Sequence, residues 1–271
     1  MTDWADWLVA HGQADAAMVA EAERVLEAAA LQPGDTVLDV GAGLGLLTLA
    51  AHERIGDGWV IAVDPSVGAL EELLRLAHDV GANGVMYLVG DAEVLPLPDA
   101  SVDAAILRSV LVHVGDVSVA VEELARVLRP GGRLSLREPL TGGGTYLATA
   151  VDWSPLGELG DRIREEWESF AVGDPLQQFD PDELVAQLEA AGFTAIERSL
   201  EDPGEEWTVT EESVEARLDA RGSPTARSAR ERWRDSLGEE GLAAIEAHLK
   251  GLAGTAVSFR RPQLFVSARR P

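Results

Sequence analysis

Apolar residues recur at helical spacing over 15–31, at Val19, Ala22, Val25, Leu26 and Ala29, and Pro33-Gly34-Asp35 ends that helix. TVLDV at 36–40 is short, apolar and β-branched between turn residues, which predicts a buried strand. The glycine-rich GAGLG follows, and then a helix over 46–55. The alternation repeats with strands at 59–63, 85–89, 103–107 and 133–138 and helices at 67–80 and 117–128. The last helix carries Val117, Val121, Leu124 and Leu128 on one face and is stopped by Arg129-Pro130-Gly131-Gly132. Apolar strands that lack a polar face and alternate with helices predict a parallel sheet covered on both sides.

After Pro139 the regular pattern breaks. Gly142-Gly143-Gly144 opens an irregular or loosely helical stretch, and order returns at Phe179. There Asp180 can cap a helix, Pro181 fits its first position and Glu183 can complete a capping box. A sixth strand is expected at 193–200 and a last one at 263–268. The chain therefore reads as a single α/β domain, 1–271, with a core at 15–139 and the end of its sheet at 179–202 and 257–271. An N-terminal arm, 1–14, precedes the core. Two insertions, 140–178 and 203–256, interrupt it and are expected to form one mostly helical lid, because loops of that length in a compact domain are uncommon unless functional.

Composition narrows the function. Twenty-two Lys and Arg against 47 Asp and Glu leave a net charge of −25, which repels nucleic acid and anionic membrane surfaces. No apolar run approaches the roughly 20 residues of a membrane span. MTDWADWLVAHG has neither a basic start nor a greasy stretch, so the expectation is a cytoplasmic protein without a signal peptide. With no cysteine there is no disulfide, thiolate metal site or cysteine nucleophile. The five histidines include no H-x₃-H pair, and no metal is expected.

Candidate chemistry gathers at the C-terminal ends of the first three strands. In VLDVGAGLG the glycines fall at Gly41, Gly43 and Gly45. The third position of a dinucleotide fingerprint falls instead on Leu46. Asp39, two residues before the first glycine, would repel a pyrophosphate and suits a ligand bearing an ammonium group. Asp64 ends the second strand, where a carboxylate can accept both hydroxyls of a ribose. Gly90-Asp91-Ala92 follows the third, where a carboxylate and the next N–H can read an adenine edge.

Together VLDVGAGLG, AVDPS, VGDAEVLPLPDASVDAAILRSVLVHV and EELARVLRPGGRLSLREP resemble a class I S-adenosylmethionine-dependent methyltransferase, with the ubiquinone/menaquinone-biosynthesis group closest in flavour. The resemblance implies a Rossmann-like, doubly wound seven-stranded sheet, mostly parallel with an antiparallel last strand. It also implies S-adenosyl-L-methionine as cofactor and a small-molecule methyl acceptor as partner. Asp39, Gly41, Ala42 and Gly43 would line the methionine moiety and Gly45 would lie beside the following helix. Asp64 would hold the ribose, Pro65 would lie near the adenine, and Asp91 and Ala92 would read its edge. Arg108 and Ser109 would lie under the amino group and sulfonium, Arg108 through its carbonyl. His113 is the candidate general base, since an imidazole can take a proton as the methyl arrives; Glu138 borders the same crevice, with a structural role before Pro139 favoured. Tyr146, Trp153, Trp167 and Phe170 of the first insertion are the candidate acceptor-binding residues, because aromatics over a crevice suit a flat or apolar molecule. A non-catalytic S-adenosylmethionine or S-adenosylhomocysteine binder is the alternative, separated by a product assay. A nicotinamide dehydrogenase is disfavoured by Leu46 and the lack of a Tyr-x-x-x-Lys pair.

Overall fold

The computed structural model describes residues 14–220 and 227–271. The expected N-terminal arm, with Trp4 and Trp7, lies outside the described residues apart from Ala14. In chain order the elements of the first half are α1 (Ala16–Ala28), β1 (Thr36–Val40), α2 (Leu46–Ile55), β2 (Trp59–Asp64), α3 (Val67–Asp79), β3 (Val85–Val89), β4 (Val102–Arg108), α4 (Val117–Val127) and β5 (Leu128–Pro139). Those of the second half are α5 (Leu147–Ala150), α6 (Glu158–Gly173), α7 (Pro181–Ala190), β6 (Thr194–Glu201), β7 (Glu205–Thr208), α8 (Glu211–Asp219), α9 (Ala229–Gly251), β8 (Ala256–Phe259) and β9 (Gln263–Arg269).

Seven strands form one sheet in the order β3-β2-β1-β4-β5-β9-β6. The pairs β1–β2, β1–β4, β2–β3 and β4–β5 are parallel, and β9 runs antiparallel between β5 and β6. The parallel part is the sheet expected from the alternation of apolar strands and helices, and the seven-stranded Rossmann-like order with an antiparallel last strand is the one the resemblance implies. Val37, Leu38, Val40, Val63, Ile106, Leu107, Leu134 and Leu136 are all buried, so the central strands carry no polar face. The order reverses between β1 and β4, which opens a crevice beyond their C-terminal ends.

Helix starts follow from side chains that accept otherwise orphaned N–H groups. Asp15 accepts from Met18 at 2.8 Å, Ser66 from Ala69 at 3.2 Å and Asp116 from Ser118 at 2.9 Å. Asp180 accepts from Asp182 at 2.8 Å, with Pro181 in the first position of α7. Glu183 turns to Gln187, whose Nε2 donates to it at 3.3 Å, rather than back to the cap. The expected turn at 129–132 lies inside β5: Leu128 pairs with Val102, a register shift follows, and the Gly131 N–H donates to the Arg270 carbonyl at 2.8 Å. The antiparallel neighbour catches the bend that the Pro-Gly-Gly run creates.

The chain divides into two compact units. The first comprises the residues up to Pro139, Asp180–Glu201 and Gln263–Pro271; the second comprises Leu140–Phe179 and Asp202–Pro262. The second has its own core of Trp153, Ile163, Trp207, Trp233, Ile245 and Leu249, all buried. β7 and β8 pair antiparallel within it, Trp207 opposite Val257; β7 lies where a helical stretch was expected, and β8, at residues expected to begin the end of the core sheet, pairs with β7 instead. Their four-residue segments EEWT and AVSF are too short to show a period, and they find each other across the whole of α8 and α9.

Candidate functional site

The site of the first unit begins where β1 ends. Asp39 is 1% exposed, and the Thr48 hydroxyl of α2 donates to its Oδ2 at 2.5 Å. Burial pushes the Asp39 carboxyl up to about 7, against that hydrogen bond, and the neighbouring Asp64 charge adds to the rise. The chain then turns through Gly41, whose φ of +66° is left-handed. A Cβ on Gly41 would stand 2.5 Å from Val110 Cγ2, so the backbone of this turn and the loop after β4 close on each other. Gly45 serves a separate end: it leads into α2, and a Cβ there would stand 2.1 Å from Leu73 Cδ1 of α3. A cavity of about 190 Å³ opens beside the turn, lined by Asp39, Gly41, Ala42, Gly43, Arg108 and Met18 among others.

A second cavity of about 220 Å³ shares Gly41 with the first. Asp64, Pro65, Asp91, Ala92, Ser109 and His113 line it. Asp64 ties two turns together: Gly43 N–H donates to its Oδ2 at 2.9 Å and Ser66 N–H to its Oδ1 at 2.8 Å. Asp91 accepts from the Glu93 N–H at 2.9 Å, which fixes the turn after β3. His113 is exposed at the end of a short 3-10 turn, Leu111–His113.

That turn is held from below by Glu138 at the end of β5. Glu138 is fully buried; its Oε1 accepts from the Val110 and Leu111 N–H groups, each at 3.0 Å, and its Oε2 from Val112 at 3.4 Å. Burial pushes its carboxyl up to about 7, against those three amides and the Arg137 charge. A structural role for Glu138 was expected; its three amide partners follow β4 and carried no sequence signal. A second network was not legible either. Glu21 of α1 accepts from Arg108 at 2.7 Å and from Arg137 at 2.8 Å, and Arg137 also donates to Ser109 Oγ at 2.9 Å. The Arg108 guanidinium is therefore engaged with Glu21. Ser109 adopts a φ of +59°, a costly conformation for a residue with a Cβ, and its N–H donates to the Arg137 carbonyl at 2.8 Å.

The candidate acceptor-binding aromatics belong to the second unit. Trp153 is completely buried, and its Nε1 donates to the Ala148 carbonyl at 3.1 Å, so it presents no surface to a ligand and is corrected to a core residue. Tyr146, Trp167 and Phe170 form a chain of rings, with centroids 4.2 and 5.5 Å apart, that ends in the partly exposed Phe170. Phe170 borders a cavity of about 590 Å³ in this unit, shared with Glu166, Leu176 and Arg232. The Arg232 guanidinium lies 4.3 Å from the Phe170 ring centroid.

Residues 38–136 match the family described as methyltransferase domain. A protein of 37.1 kDa encoded in transposon Tn4556 of Streptomyces fradiae is 40% identical over 116 residues, 42% of this chain and 33% of that protein, so the chain spans a third of that relative. The YcgJ protein of Bacillus subtilis superposes with a TM-score of 0.58 at 20% identity, covering 93% of this chain and 98% of that one, and shares the fold. The ubiquinone/menaquinone biosynthesis C-methyltransferase UbiE of Teredinibacter turnerae is 32% identical over 175 residues, 62% of this chain and 70% of that protein. The chain belongs to the class I S-adenosylmethionine-dependent methyltransferases. It is a methyltransferase of the small-molecule type, and S-adenosylmethionine is its cofactor. The donor set of the methyltransferase fits that group. Two adjoining cavities carry the buried Asp39 carboxylate in the first and those of Asp64, Asp91 and Glu93 in the second. That arrangement attracts an ammonium and accepts from sugar hydroxyls and an exocyclic amine, whereas it repels a pyrophosphate. Among the described residues, no helix is long and apolar enough to cross a membrane.

Proposed function

We propose that this methyltransferase moves a methyl group onto a small acceptor with an aromatic or apolar body, using Asp39, Asp64 and Asp91 to hold the cofactor. The observation that carries the reading is the placement of these three carboxylates on the two cavities that meet at Gly41. In it, Asp39 accepts from the cofactor's ammonium while Gly41, Ala42 and Gly43 let the backbone come close. Asp64 accepts from the ribose hydroxyls, its geometry already set by Gly43 and Ser66. Pro65 packs near the adenine, and Asp91 and Ala92 meet its edge. The Arg108 backbone and Ser109 complete the wall nearest the reacting centre. Bound S-adenosylmethionine supplies an electrophilic methyl group on a sulfonium. The chain's own contribution is alignment and the exclusion of water, with a base where the acceptor must lose a proton.

His113 is the residue proposed for that base. It lines the second cavity on a turn anchored by a buried carboxylate, and one imidazole nitrogen can take the proton from an acceptor hydroxyl, amine or activated carbon. His113→Ala is expected to lower kcat by about 10²-fold while S-adenosylhomocysteine affinity stays nearly unchanged. An unchanged rate with the true acceptor would leave alignment alone as the source of catalysis. For the acceptor, the proposal rests on Tyr146, Trp167 and Phe170, whose ring series reaches the 590 Å³ cavity of the second unit.

Titration calorimetry tests the cofactor reading. The protein is expected to bind S-adenosylhomocysteine and not NAD. Asp64→Asn is expected to weaken binding by roughly 1.5–3 kcal/mol, the range for a hydrogen bond to a charged group. Binding of NAD, or an Asp64→Asn variant with wild-type affinity, contradicts it.

A further inference from the structure

β3 is one edge of the seven-stranded sheet and pairs with β2 alone among the described residues. Its peptide groups alternate. The Val60 N–H donates to the Gly84 carbonyl at 2.8 Å, and the Gly90 N–H donates to the Asp64 carbonyl at 3.3 Å. In a parallel ladder this alternation turns the even-numbered residues, 84 to 90, toward β2. The N–H and C=O groups of Val85, Tyr87 and Val89 therefore point outward, along the open edge.

Open edges are normally blunted by lysine, proline, a bulge or a covering element. This one has no such guard in its own sequence. Residues 80–90, VGANGVMYLVG, contain no charged side chain in a chain whose net charge is −25. The side chains are apolar and exposed: Met86 43%, Tyr87 44%, Leu88 36% and Val89 55%.

We propose that the β3 edge is a self-association surface, on which two copies of this chain pair their β3 strands antiparallel about a two-fold axis at Tyr87. Two arguments select a second copy as the occupant. The first is electrostatic. Two bodies of charge −25 repel, and they approach most cheaply where the facing strip is neutral. The second is pattern. An isologous contact must be self-complementary, and the strip is symmetric about its centre. Val85 faces the partner copy's Val89, Met86 its Leu88 and Tyr87 its Tyr87, while Asp91 faces Asn83 rather than another acid. The three outward-facing residues are those such a pairing uses, each exchanging an N–H and a C=O with its opposite number.

Sedimentation velocity on the wild-type protein over a concentration series is expected to show a monomer–dimer equilibrium. Tyr87→Lys places two like charges at the axis and is expected to raise the dimer dissociation constant by at least about 10²-fold. The absence of native cysteine permits a second measurement that keeps the fold. Tyr87→Cys is expected to cross-link to dimer with a short bismaleimide. Val172→Cys, on a residue 82% exposed in the second unit, sets the background of random collision. A wild type that sediments as monomer at its highest soluble concentration overturns the proposal and leaves the edge to a different chain. So does a dimer that Tyr87→Lys leaves intact, or equal cross-linking at the two positions.

Discussion

Glu138→Ala is expected to cost about 3–5 kcal/mol of folding stability, whereas Glu138→Gln costs about 1 kcal/mol. The difference comes from where the three amides bind. Val110 and Leu111 both donate to Oε1, each at 3.0 Å, and Val112 makes the longer contact to Oε2. A glutamine carbonyl placed at Oε1 keeps the two short hydrogen bonds and loses only the weak one. Alanine leaves three N–H groups without an acceptor inside the protein, at roughly 1–3 kcal/mol for each fully desolvated donor. Urea unfolding of the three proteins measures the effect; an alanine variant as stable as the glutamine variant would show that water or a backbone shift satisfies the turn. Because that turn carries His113, the alanine variant should also lose order at the cavity wall.

Asp39→Asn is expected to make the protein more stable at pH 8 and a worse binder at the same pH. The carboxyl in the folded chain titrates near 7, and in the unfolded chain it returns to its ordinary value near 4. Between those two pH values the folded state holds a proton that the unfolded state has released. Stability from this group is therefore complete below about pH 4, falls as pH rises, and is lost above about pH 7. Asparagine never ionises and escapes that loss. Its advantage should be near zero at pH 4 and on the order of 2–4 kcal/mol at pH 8. Its affinity for S-adenosylhomocysteine should drop by roughly 1.5–3 kcal/mol, through loss of the charged partner for the ammonium. Thermal melts at the two pH values, paired with calorimetry at pH 8, check both halves. A variant no more stable than wild type at pH 8 contradicts the picture of a buried ion held at a cost for the ligand.

Much of the first unit was legible in the sequence because its determinants are local. Strands β1 and β3 fall at the expected bounds, since each is a short apolar run flanked by Pro, Gly or Asp. The carboxylates at 39, 64 and 91 could be located for the same reason: each lies within two residues of the C-terminal end of a strand, and parallel topology brings those ends together. What could not be read depends on partners far apart in the chain. Glu21 meets Arg108 and Arg137 from residues 87 and 116 positions away, and nothing in α1 marks it for that pairing. The start of β5 at Leu128 reflects a tertiary pairing with Val102 that outweighs the turn signal of Pro130-Gly131-Gly132. Trp153 shows the limit in the other direction. A large aromatic in an insertion has the same appearance in sequence whether it faces a ligand or fills a core, and only the packing of Trp233 against it, with centroids 5.7 Å apart, separates the two.

The distribution of indoles makes the two units optically distinct. Trp153, Trp167, Trp207 and Trp233 are all buried in the second unit, whereas Trp59, the tryptophan of the first unit within the described residues, is 48% exposed on β2. Buried rings emit at shorter wavelength than rings in water. The blue-shifted part of this protein's ultraviolet fluorescence therefore originates in the second unit, while amide circular dichroism is weighted toward the larger first one. A denaturation curve followed by the two signals at once reads the two units separately, and coincidence of the curves is the mark of a chain that unfolds as one cooperative body.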